Sequence, residues 1–280
     1  MAVEKIKEII RQFEDLKKEK GVFMPHWEDL ARIMLPRRAG FVGETIPGES
    51  RTEAIFDGTP MQAARSLAHH MSFWLRPEST EWWFLRVKDE RLQQDEQVKI
   101  WLDDTKSRLD AALNNPKARF RQSTGEVDTD LVVFGTGVLF IGEGRNLDHL
   151  KFQSIHLKDV VLIFNEDGNL IGVMSSKKWT VRQMIAKWGN KVSDAVKKLA
   201  ADNEPNKKIE VIQAIMPREE KHFENPKLAI NMPIAHYYIE VDEEHELEQG
   251  GFQELPFVAP RWDTTSGEDY GRSPGMIALP

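Results

Sequence analysis

The chain of 280 residues contains no cysteine. Disulfides, thiolate metal sites and cysteine nucleophiles are therefore excluded together, and the absence fits a reducing compartment. Long apolar runs are also missing, because no stretch approaches the roughly 18 residues that a membrane-spanning helix needs. Charges interrupt residues 1–8, where a secretory signal would need an unbroken apolar segment. We therefore expect no direct contact with a membrane.

Positive charge is in short supply as well. The chain has 38 lysines and arginines against 45 aspartates and glutamates, which gives a net charge of -7 at pH 7. Affinity for nucleic acid comes mainly from basic side chains that neutralise phosphates, so this balance disfavours a tight, non-specific DNA binder. An acidic chain is still compatible with a passage along which DNA slides without adhering.

Motifs for nucleotide or ester chemistry are absent. The glycines of Phe134-Gly135-Thr136-Gly137 are not followed by the lysine and hydroxyl residue of a P-loop, so they predict a helix-to-strand turn. No Gly-x-Ser-x-Gly nucleophile elbow occurs either. The sequence gives no support for an ATP-hydrolysing motor, and we expect neither a cofactor nor a bound metal.

Two acidic pairs leave one enzymatic interpretation open. Asp128 and Asp130, or Asp103 and Asp104, could hold a divalent metal for phosphodiester cleavage. Neither pair has a neighbouring histidine or a third acidic residue in a recognisable motif. Because both pairs lie in helix-like segments, we expect their carboxylates to face solvent. A metal-dependent nuclease that uses Asp128 and Asp130 is the first alternative.

A nucleic-acid-binding module is the second alternative. Arg37 and Arg38 are the strongest candidates for a basic contact to a phosphate or an acidic partner. Trp82 and Trp83, with Trp74 nearby, could stack on bases. Few basic residues are interleaved with these tryptophans, so we expect them to pack in a core or against another subunit.

Apolar residues at three- and four-residue spacing predict helices over 3–20, 26–35, 59–76, 95–113 and 120–134, with a loop over 37–55. Thr59 before Pro60 predicts a helix start capped by the threonine hydroxyl. Two of these helices have a well-defined stripe that we expect to be buried. The stripe residues are Met61, Ala64, Leu67, Ala68, Met71 and Leu75 in the third helix and Val98, Trp101, Leu102, Leu109 and Leu113 in the fourth.

The apolar period changes from helical to strand-like near residue 137. A turn at 165–169 predicts a hairpin, and Thr180 is expected to cap a short helix that ends at Gly189, followed by another over 193–201. Trp82 to Val87, which is rich in aromatic residues, is also predicted as a strand. The expected fold class is α+β, with a helical N-terminal half packed with a strand-rich mixed half. The other predicted strands are 138–142, 150–155, 160–164, 170–175, 209–216, 234–241 and 245–249.

Several short motifs follow one another along the chain. Trp27-x-x-Leu30 and Leu35-Pro36 come first, then Ile55-Phe56-Asp57-Gly58-Thr59, Trp82-Trp83-Phe84 and Phe134-Gly135-Thr136-Gly137. The last are Pro256-Phe257-Val258-Ala259-Pro260-Arg261-Trp262 and Tyr270-Gly271-Arg272-Ser273-Pro274. Their order resembles that of the portal, or head-to-tail connector, proteins of short-tailed bacteriophages, the podoviruses. Each piece is short, so the resemblance rests on an order that spans nearly the whole chain.

The resemblance implies a structural subunit rather than an enzyme. It implies a homo-oligomeric ring, typically twelve-fold, at one vertex of the capsid, through which double-stranded DNA is packaged and ejected without sequence specificity. Capsid, scaffolding, terminase and tail proteins are the implied partners, with the terminase supplying ATP hydrolysis. The implied location is the portal vertex of the virion, with assembly in the host cytoplasm.

The resemblance also implies a wing-like architecture. Residues 1–136 would form its mainly helical part, 137–262 its strand-rich α+β part, and 263–280 the approach to a stem that we expect beyond Pro280. The motif residues would then serve structure. Asp57 and Thr59 would fix a helix start, Trp83 would lie in the aromatic motif, Gly135 and Gly137 would allow the helix-to-strand turn, and Arg261, Trp262, Tyr270 and Gly271 would organise the approach to the stem.

Overall fold

A computed structural model describes residues 2–42, 55, 57–144, 148–218 and 228–279. The chain forms two compact units. Unit 1 comprises the described residues within 1–28, 40–44 and 156–257, and unit 2 those within 29–39, 45–155 and 258–280. Each unit therefore draws on both the first and the second half of the chain. Phe56, which belongs to the Ile55–Thr59 motif, lies outside the described residues, and so does most of the predicted loop over 37–55.

The predicted α+β class is confirmed, with helices up to residue 134 and mainly strands after it. The helices are α1 (Ala2–Gly21), α2 (Met24–Met34), α3 (Thr59–Leu75), α4 (Glu90–Gln94), α5 (Glu96–Leu113), α6 (Phe120–Phe134), α7 (Val181–Trp188), α8 (Asp194–Ala201) and α9 (Pro274–Ala278). The strands are β1 (Leu139–Glu143), β2 (Leu150–Ser154), β3 (Val160–Phe164), β4 (Leu170–Thr180), β5 (Lys208–Pro217), β6 (Ile234–Glu240), β7 (His245–Phe252) and β8 (Phe257–Val258). Short 3-10 helices occupy Pro36–Arg38, Leu157–Asp159, Gly189–Lys191 and Ala229–Asn231.

Unit 1 is built on a five-stranded antiparallel sheet in the order β3-β4-β5-β6-β7. Successive side chains of a strand point to opposite faces, and β5 shows what this does to the core. Ile212 and Ala214 pack in a cluster with the apolar side of α1, whereas Ile209 and Val211 pack in a second cluster with α7 and α8. The central strand is therefore buried on both faces.

The helix caps of unit 1 follow the sequence closely. Thr180 caps α7 as predicted, and the Gln183 side chain completes a capping box by accepting a hydrogen bond from the Thr180 amide. Ser193 accepts a bond from the Val196 amide at the start of α8 and donates its hydroxyl to Glu240 at 2.9 Å. These caps fix where the chain leaves the sheet and where it returns.

Unit 2 contains α3 to α6, the β1–β2 hairpin and α9. The hairpin pairs Leu139 with Ser154 and continues in register to Glu143 and Leu150, and its sheet has the order β2-β1-β8. One apolar cluster joins the hairpin to α6 through Val127, Leu139 and Phe152, together with Ala118. Among the described residues, no helix of either unit is both long and apolar enough to cross a membrane.

The predicted strand from Trp82 to Val87 is wrong, since this segment has no regular secondary structure. Its polar groups bond to side chains instead of to a neighbouring strand. The Trp83 indole donates to Asp110 at 2.9 Å, and the Val87 amide donates to the Gln93 side chain at 3.0 Å. Aromatic content indicates a β segment, but none of the described strands pairs with it.

The predicted cap of α3 is also wrong. Thr59 is the first residue of the helix, and Gly58 is the cap position. The Asp57 carboxylate accepts both the Thr59 amide at 2.9 Å and the Thr59 hydroxyl at 2.7 Å. Because an acidic side chain two residues earlier takes these bonds, the threonine hydroxyl is not used as the cap.

The predicted buried stripes of α3 and α5 are only partly buried. Ala64 and Ala68 are buried in α3, and Leu102 is buried in α5. Leu75 and Trp101, by contrast, are 55% and 62% exposed. The apolar spacing correctly predicts two helices, but the described residues cover the apolar sides of these helices only in part.

Candidate functional site

Helix α6 carries the greatest number of buried residues among the described helices of unit 2. It begins after Arg119, whose backbone is left-handed, and ends at Gly135, which is also left-handed with φ 76°. A residue with a left-handed backbone after the last turn lets following amides pair with the free carbonyls of the helix end. Glycine adopts this backbone conformation without a steric penalty. The buried residues of α6 are Ser123, Thr124, Val127, Asp128, Asp130, Val132, Val133 and Phe134.

Two of these buried residues are carboxylates, so the expectation that they face solvent is wrong. Asp128 is 4% exposed and Asp130 is 1% exposed. Each is paired with an arginine from a different element. A close ion pair joins Asp128 to Arg76, the residue that ends α3, and Arg38 Nη1 lies 3.2 Å from Asp130 Oδ2.

A contact to phosphate would require Arg38 to project into solvent. It does not, because its guanidinium is engaged with Asp130. Its other terminal nitrogen donates to Glu126 at 3.2 Å and to the Ser154 hydroxyl at 3.3 Å. This arginine ties the 3-10 helix Pro36–Arg38 to both α6 and β2. The neighbouring Arg37 is exposed.

Burial raises the pKa of both acids. It raises the pKa of Asp130 to about 7, with Arg38 lowering it and the nearby Glu126 carboxylate raising it. Neither oxygen of Asp130 has a well-aligned hydrogen bond, so its link to Arg38 is mainly electrostatic. Burial likewise raises the pKa of Asp128, while Arg76 lowers it. The two acids are held inside unit 2 by their arginines.

This geometry does not suit a nuclease. Residues two apart on a helix do not face each other, so Asp128 and Asp130 cannot converge on one metal ion. Each already has a cationic partner. No group of three or more histidine, aspartate or glutamate side chains in the described part of the chain is arranged to hold a metal. Nothing here supports the nuclease alternative.

The tryptophans do not form the base-stacking platform of the second alternative. Trp82 stacks on Phe120, with ring centroids 6.3 Å apart and planes within 8° of parallel. Trp83 is hydrogen-bonded to Asp110, as described above. Trp74 is 77% exposed and lies edge-on to Phe73. Two of the three therefore pack against their own unit, and they do not form one basic, base-stacking surface.

The C-terminal segment closes tightly on the end of α6. A Cβ atom on Gly135 would lie 2.3 Å from the Gly271 carbonyl oxygen, and one on Gly271 would lie 2.3 Å from the Gly135 oxygen. The Trp262 amide donates to the Gly135 oxygen at 2.8 Å, and the Gly271 amide donates to the Thr136 hydroxyl at 2.8 Å. Both glycines are therefore needed because the two backbones touch.

Further bonds extend this contact, which we call the α6 joint (residues 133–137 with 260–273). The Gly137 amide donates to the Pro260 oxygen at 3.1 Å. The Ser273 hydroxyl donates to the Val133 oxygen at 2.7 Å and accepts the Met276 amide at 3.0 Å, which caps α9. The joint thus links the end of α6 to the start of the last described helix.

The structure brings most of the predicted motif residues to this joint. Arg261 donates to the Asp269 carbonyl at 3.3 Å, Tyr270 is 5% exposed and Trp262 is 40% exposed. Together with the three glycines of the joint they form one region of unit 2. Asp57, Thr59 and Trp83 do not belong to it: the first two begin α3, and Trp83 is bonded to α5.

Several residues of this region were not identified from the sequence. Arg76 gave no signal, because its partner Asp128 is 52 positions away. Thr136 was treated only as part of a turn, although its hydroxyl accepts an amide from Gly271. Ser273 could have been found, since serine before proline is a common helix start and Pro274 follows directly.

Unit 1 has a separate polar feature at the end of α1. The Lys20 ammonium, 3% exposed, donates to the carbonyl oxygens of Leu157, Lys158 and Val160 at 3.2, 2.7 and 2.8 Å. Burial lowers the pKa of Lys20 to about 8, although nearby Asp159 raises it. No local sequence pattern indicates this site, because a lysine near a helix end is usually solvated.

Comparison with known proteins identifies the family. Residues 6–280 match the family model described as bacteriophage head to tail connecting protein. The chain is similar to the portal protein of Salmonella phage epsilon15, with 28% identity over 285 residues, 100% of this chain and 50% of the relative. It is also similar to the probable portal protein of Bordetella phage BPP-1, with 27% identity over 276 residues, 97% of this chain and 49% of the relative.

The chain spans about half the length of these two curated relatives. The family match nevertheless covers nearly all of it, from residue 6 to residue 280, and includes every element of both units. The resemblance to portal proteins of podoviruses is thereby confirmed. The chain belongs to the family of bacteriophage head-to-tail connecting proteins.

Proposed function

We propose that this chain is part of a structural subunit of a phage portal, the head-to-tail connector ring through which DNA is packaged and ejected. The match to the family model across residues 6–280 carries the proposal. The α6 joint supports it, since the motif residues that prompted the resemblance meet there as a packed backbone contact. Such a contact serves architecture rather than substrate turnover.

A structural role also agrees with the chemistry of the described residues. The buried acids of α6 are paired with arginines that connect other elements, which is how a scaffold uses charge. We infer that the chain is not an enzyme and needs no cofactor. A separate terminase would supply the ATP hydrolysis for packaging.

The wing is the part of the portal that we assign to this chain. Residues 1–136 would be its mainly helical part, 137–262 its strand-rich part, and 263–280 the approach to the stem. The motif residues Asp57, Thr59, Trp83, Arg261 and Tyr270 would act by shaping these parts. A twelve-fold ring, with capsid, scaffolding and tail proteins as further partners, is the assembly we propose at the portal vertex, formed in the host cytoplasm.

The charge balance bears on how DNA would be handled. With a net charge of -7, the chain would offer passing double-stranded DNA little non-specific adhesion. Arg37, which is exposed, remains our candidate for a phosphate or partner contact, whereas Arg38 is engaged with Asp130. Binding to DNA should therefore be weak and should depend little on salt.

Native mass spectrometry with negative-stain imaging tests the proposal. We expect closed rings, either from this chain or from a version extended past Pro280. Monomers from both versions, at all concentrations up to the highest attainable, would contradict it. A DNA-binding titration from low to high salt is the second measurement, and a steep slope would favour a nucleic-acid-binding module instead.

A further inference from the structure

Unit 1 surrounds one lysine side chain with aromatic rings. The Lys187 ammonium, in the last turn of α7, lies 3.6 Å from the ring centroid of Tyr238 in β6. The ring centroids of Trp188 in α7 and Trp179 in β4 lie 4.5 and 4.9 Å from the same ammonium. A cation within about 6 Å of a ring centroid is attracted to the face of the ring. Rings from three elements therefore converge on one ammonium, and we call these three residues the aromatic cage.

The rings of the aromatic cage hold one another in place. The Trp188 ring centroid lies 5.1 Å from that of Trp179 in a tilted arrangement and 5.3 Å from that of Tyr238 in an edge-on arrangement. Both are favourable geometries for aromatic pairs. Trp188 is 6% exposed and belongs to the apolar cluster that α7 and α8 share with the sheet. The cage is therefore built into the core of unit 1 and keeps its shape without the lysine.

A carboxylate lies next to the cage. Glu248 accepts a hydrogen bond from the Trp188 indole at 2.9 Å, and it is directly opposite Tyr238 in the β6–β7 ladder. Burial lowers the pKa of Lys187, whereas the charge of Glu248 raises it. A fixed carboxylate beside three ring faces favours a positively charged occupant over a neutral group of the same shape.

Another lysine approaches an aromatic ring for a different reason. The Lys106 ammonium lies 5.6 Å from the Trp83 ring centroid, but ion pairs with Glu81 and Asp110 at 2.9 and 3.1 Å account for its position. Within the described residues, the Lys187 ammonium has neither a hydrogen bond nor an ion pair of this kind. The ring faces are thus what holds Lys187 where it is.

We propose that the aromatic cage, with Glu248 beside it, is a binding site for small alkylammonium ions and that Lys187 is its internal occupant. Aromatic cages recognise ammonium ligands through the same attraction that holds the lysine. Lys187 lies on the exposed side of α7, so its side chain can turn into solvent and an external ammonium can take its place. The site is independent of ring formation, since all of its residues belong to unit 1.

Removal of the internal occupant tests the proposal. For Lys187→Ala we expect choline, a trimethylammonium ion, to bind with a dissociation constant on the order of 1–10 mM. The wild-type chain, in which Lys187 competes, should bind choline at least about ten-fold more weakly. Saturation-transfer difference NMR measures binding this weak, and it remains usable if the chain forms large rings. Lys198→Ala, at an exposed lysine of α8, is the matched control and should behave as the wild type.

Two further measurements establish what the cage recognises. The neutral carbon analogue of choline, in which a tert-butyl group replaces the trimethylammonium group, should bind Lys187→Ala at least about ten-fold more weakly than choline. Adding Tyr238→Leu to Lys187→Ala removes the nearest ring and should weaken choline binding about ten-fold or more. Circular dichroism checks that each variant is folded. Lys187→Gln, which removes the charge with less change in shape, replaces Lys187→Ala if alanine disrupts α7.

The outcomes decide the proposal in either direction. Tighter binding of choline to Lys187→Ala than to the wild type, together with the losses expected for the neutral analogue and for Tyr238→Leu, would support it. Equal binding of choline to both proteins, or binding to neither, would overturn it. Equal binding of choline and its neutral analogue would reveal an apolar cavity instead of a cation site, and choline binding unchanged by Tyr238→Leu would place the ligand elsewhere. Both results would also overturn the proposal, and neither affects the portal function, which the ring measurement tests.

Discussion

Two buried charges of unit 1 and two of unit 2 are held by different kinds of partner. In unit 1 the Lys20 ammonium is bound by three backbone carbonyls, and the buried Glu28 carboxylate accepts the amides of Gly40 and Phe41 at 2.6 and 2.7 Å. In unit 2 the buried Asp128 and Asp130 are bound by arginine side chains. Backbone partners fix the path of a loop, whereas side-chain partners fasten one element to another.

The difference shows what each unit depends on. Unit 1 has a sheet covered on both faces by apolar side chains, so its charges secure connections around an existing core. Unit 2 has less apolar coverage of α3 and α5, and α6 is fastened to its neighbours by ion pairs and by the glycine contact of the joint. A single substitution at one of these contacts should therefore lower the stability of unit 2 more than a single substitution at a buried charge lowers that of unit 1.

The largest effect should come from Gly271→Ala. The added Cβ would lie 2.3 Å from the Gly135 oxygen, which is a backbone atom, so the clash can be relieved only by moving the main chain. We expect a loss of more than about 4 kcal/mol in the free energy of unfolding, the range of the most damaging single changes. Hydrogen exchange resolved by segment should show loss of protection in unit 2 before unit 1.

The matched control for this change is Gly125→Ala in α6. A Cβ at Gly125 would have nothing within 4 Å, and alanine favours a helix over glycine by about 1 kcal/mol. We expect the control to be as stable as the wild type or slightly more stable. Equal tolerance of both substitutions would show that the α6 joint is not a fixed contact.

Arg38→Met should have the next largest effect. It leaves Asp130 buried without its cationic partner, and breaking a buried pair in this way costs about 3–5 kcal/mol. The adjacent and exposed Arg37→Met should be nearly neutral in the same chemical denaturation experiment. Adding Asp130→Leu to Arg38→Met should recover much of the loss, and failure to recover would argue against coupling between the two residues.

Lys20→Met should have a smaller effect, confined to unit 1. It removes the donor for three carbonyl groups, and a buried polar group left unsatisfied costs about 1–3 kcal/mol. We expect about 2 kcal/mol in total, because some of these carbonyls can reach water once the ammonium is gone. Lys18→Met, at a position whose side chain is 75% exposed, serves as the control. Loss of protection in unit 2 rather than unit 1 would contradict the comparison.

The most diagnostic effect should be the pH dependence of stability. The pKa of Asp130 is about 7 in the folded chain and about 3.9 when unfolded. Between these values the folded state binds more protons, so this residue makes stability fall as pH rises from about 4 to 7. Asp130→Asn should flatten that decline, measured as the unfolding free energy at successive pH values.

Lys20 should act in a different pH window. Burial lowers its pKa to about 8 in the folded chain, against about 10.4 when unfolded. Between these values the unfolded state binds more protons, so this residue makes stability rise as pH increases from about 8 to 10. Lys20→Met should remove the rise and leave the acidic window unchanged. An effect of either substitution in the other window would mean that the two groups are coupled.

The sequence was sufficient where local spacing decides the outcome. Helix α6 begins and ends at the predicted residues, Phe120 and Phe134, because an apolar helical period meets a glycine that can adopt a left-handed backbone. The Thr180 cap of α7 was predicted for the same reason: the residues that form the cap lie within a few positions of each other.

The sequence was insufficient where a distant residue decides the outcome. The burial of Asp128 follows from Arg76, and that of Asp130 from Arg38, and neither pairing leaves a local pattern. The 82–87 segment illustrates the opposite error, because its aromatic content predicts a strand whereas side chains of α4, α5 and α6 supply its actual partners. The sequence predicts the parts of the α6 joint only as separate motifs. The contact between Gly135 and Gly271 forms because the chain comes back to the end of α6 more than 130 residues later.

The position of Lys20 also affects the edge of the sheet in unit 1. β3 is an edge strand, and unpaired carbonyls on such an edge can accept amides from a strand of another chain. The Lys20 ammonium already binds the Val160 carbonyl at the first residue of β3, together with two carbonyls just before it. This bond occupies a carbonyl that the edge of β3 would otherwise offer to a strand of another chain, so the lysine that holds the end of α1 also makes this edge less open to strand pairing.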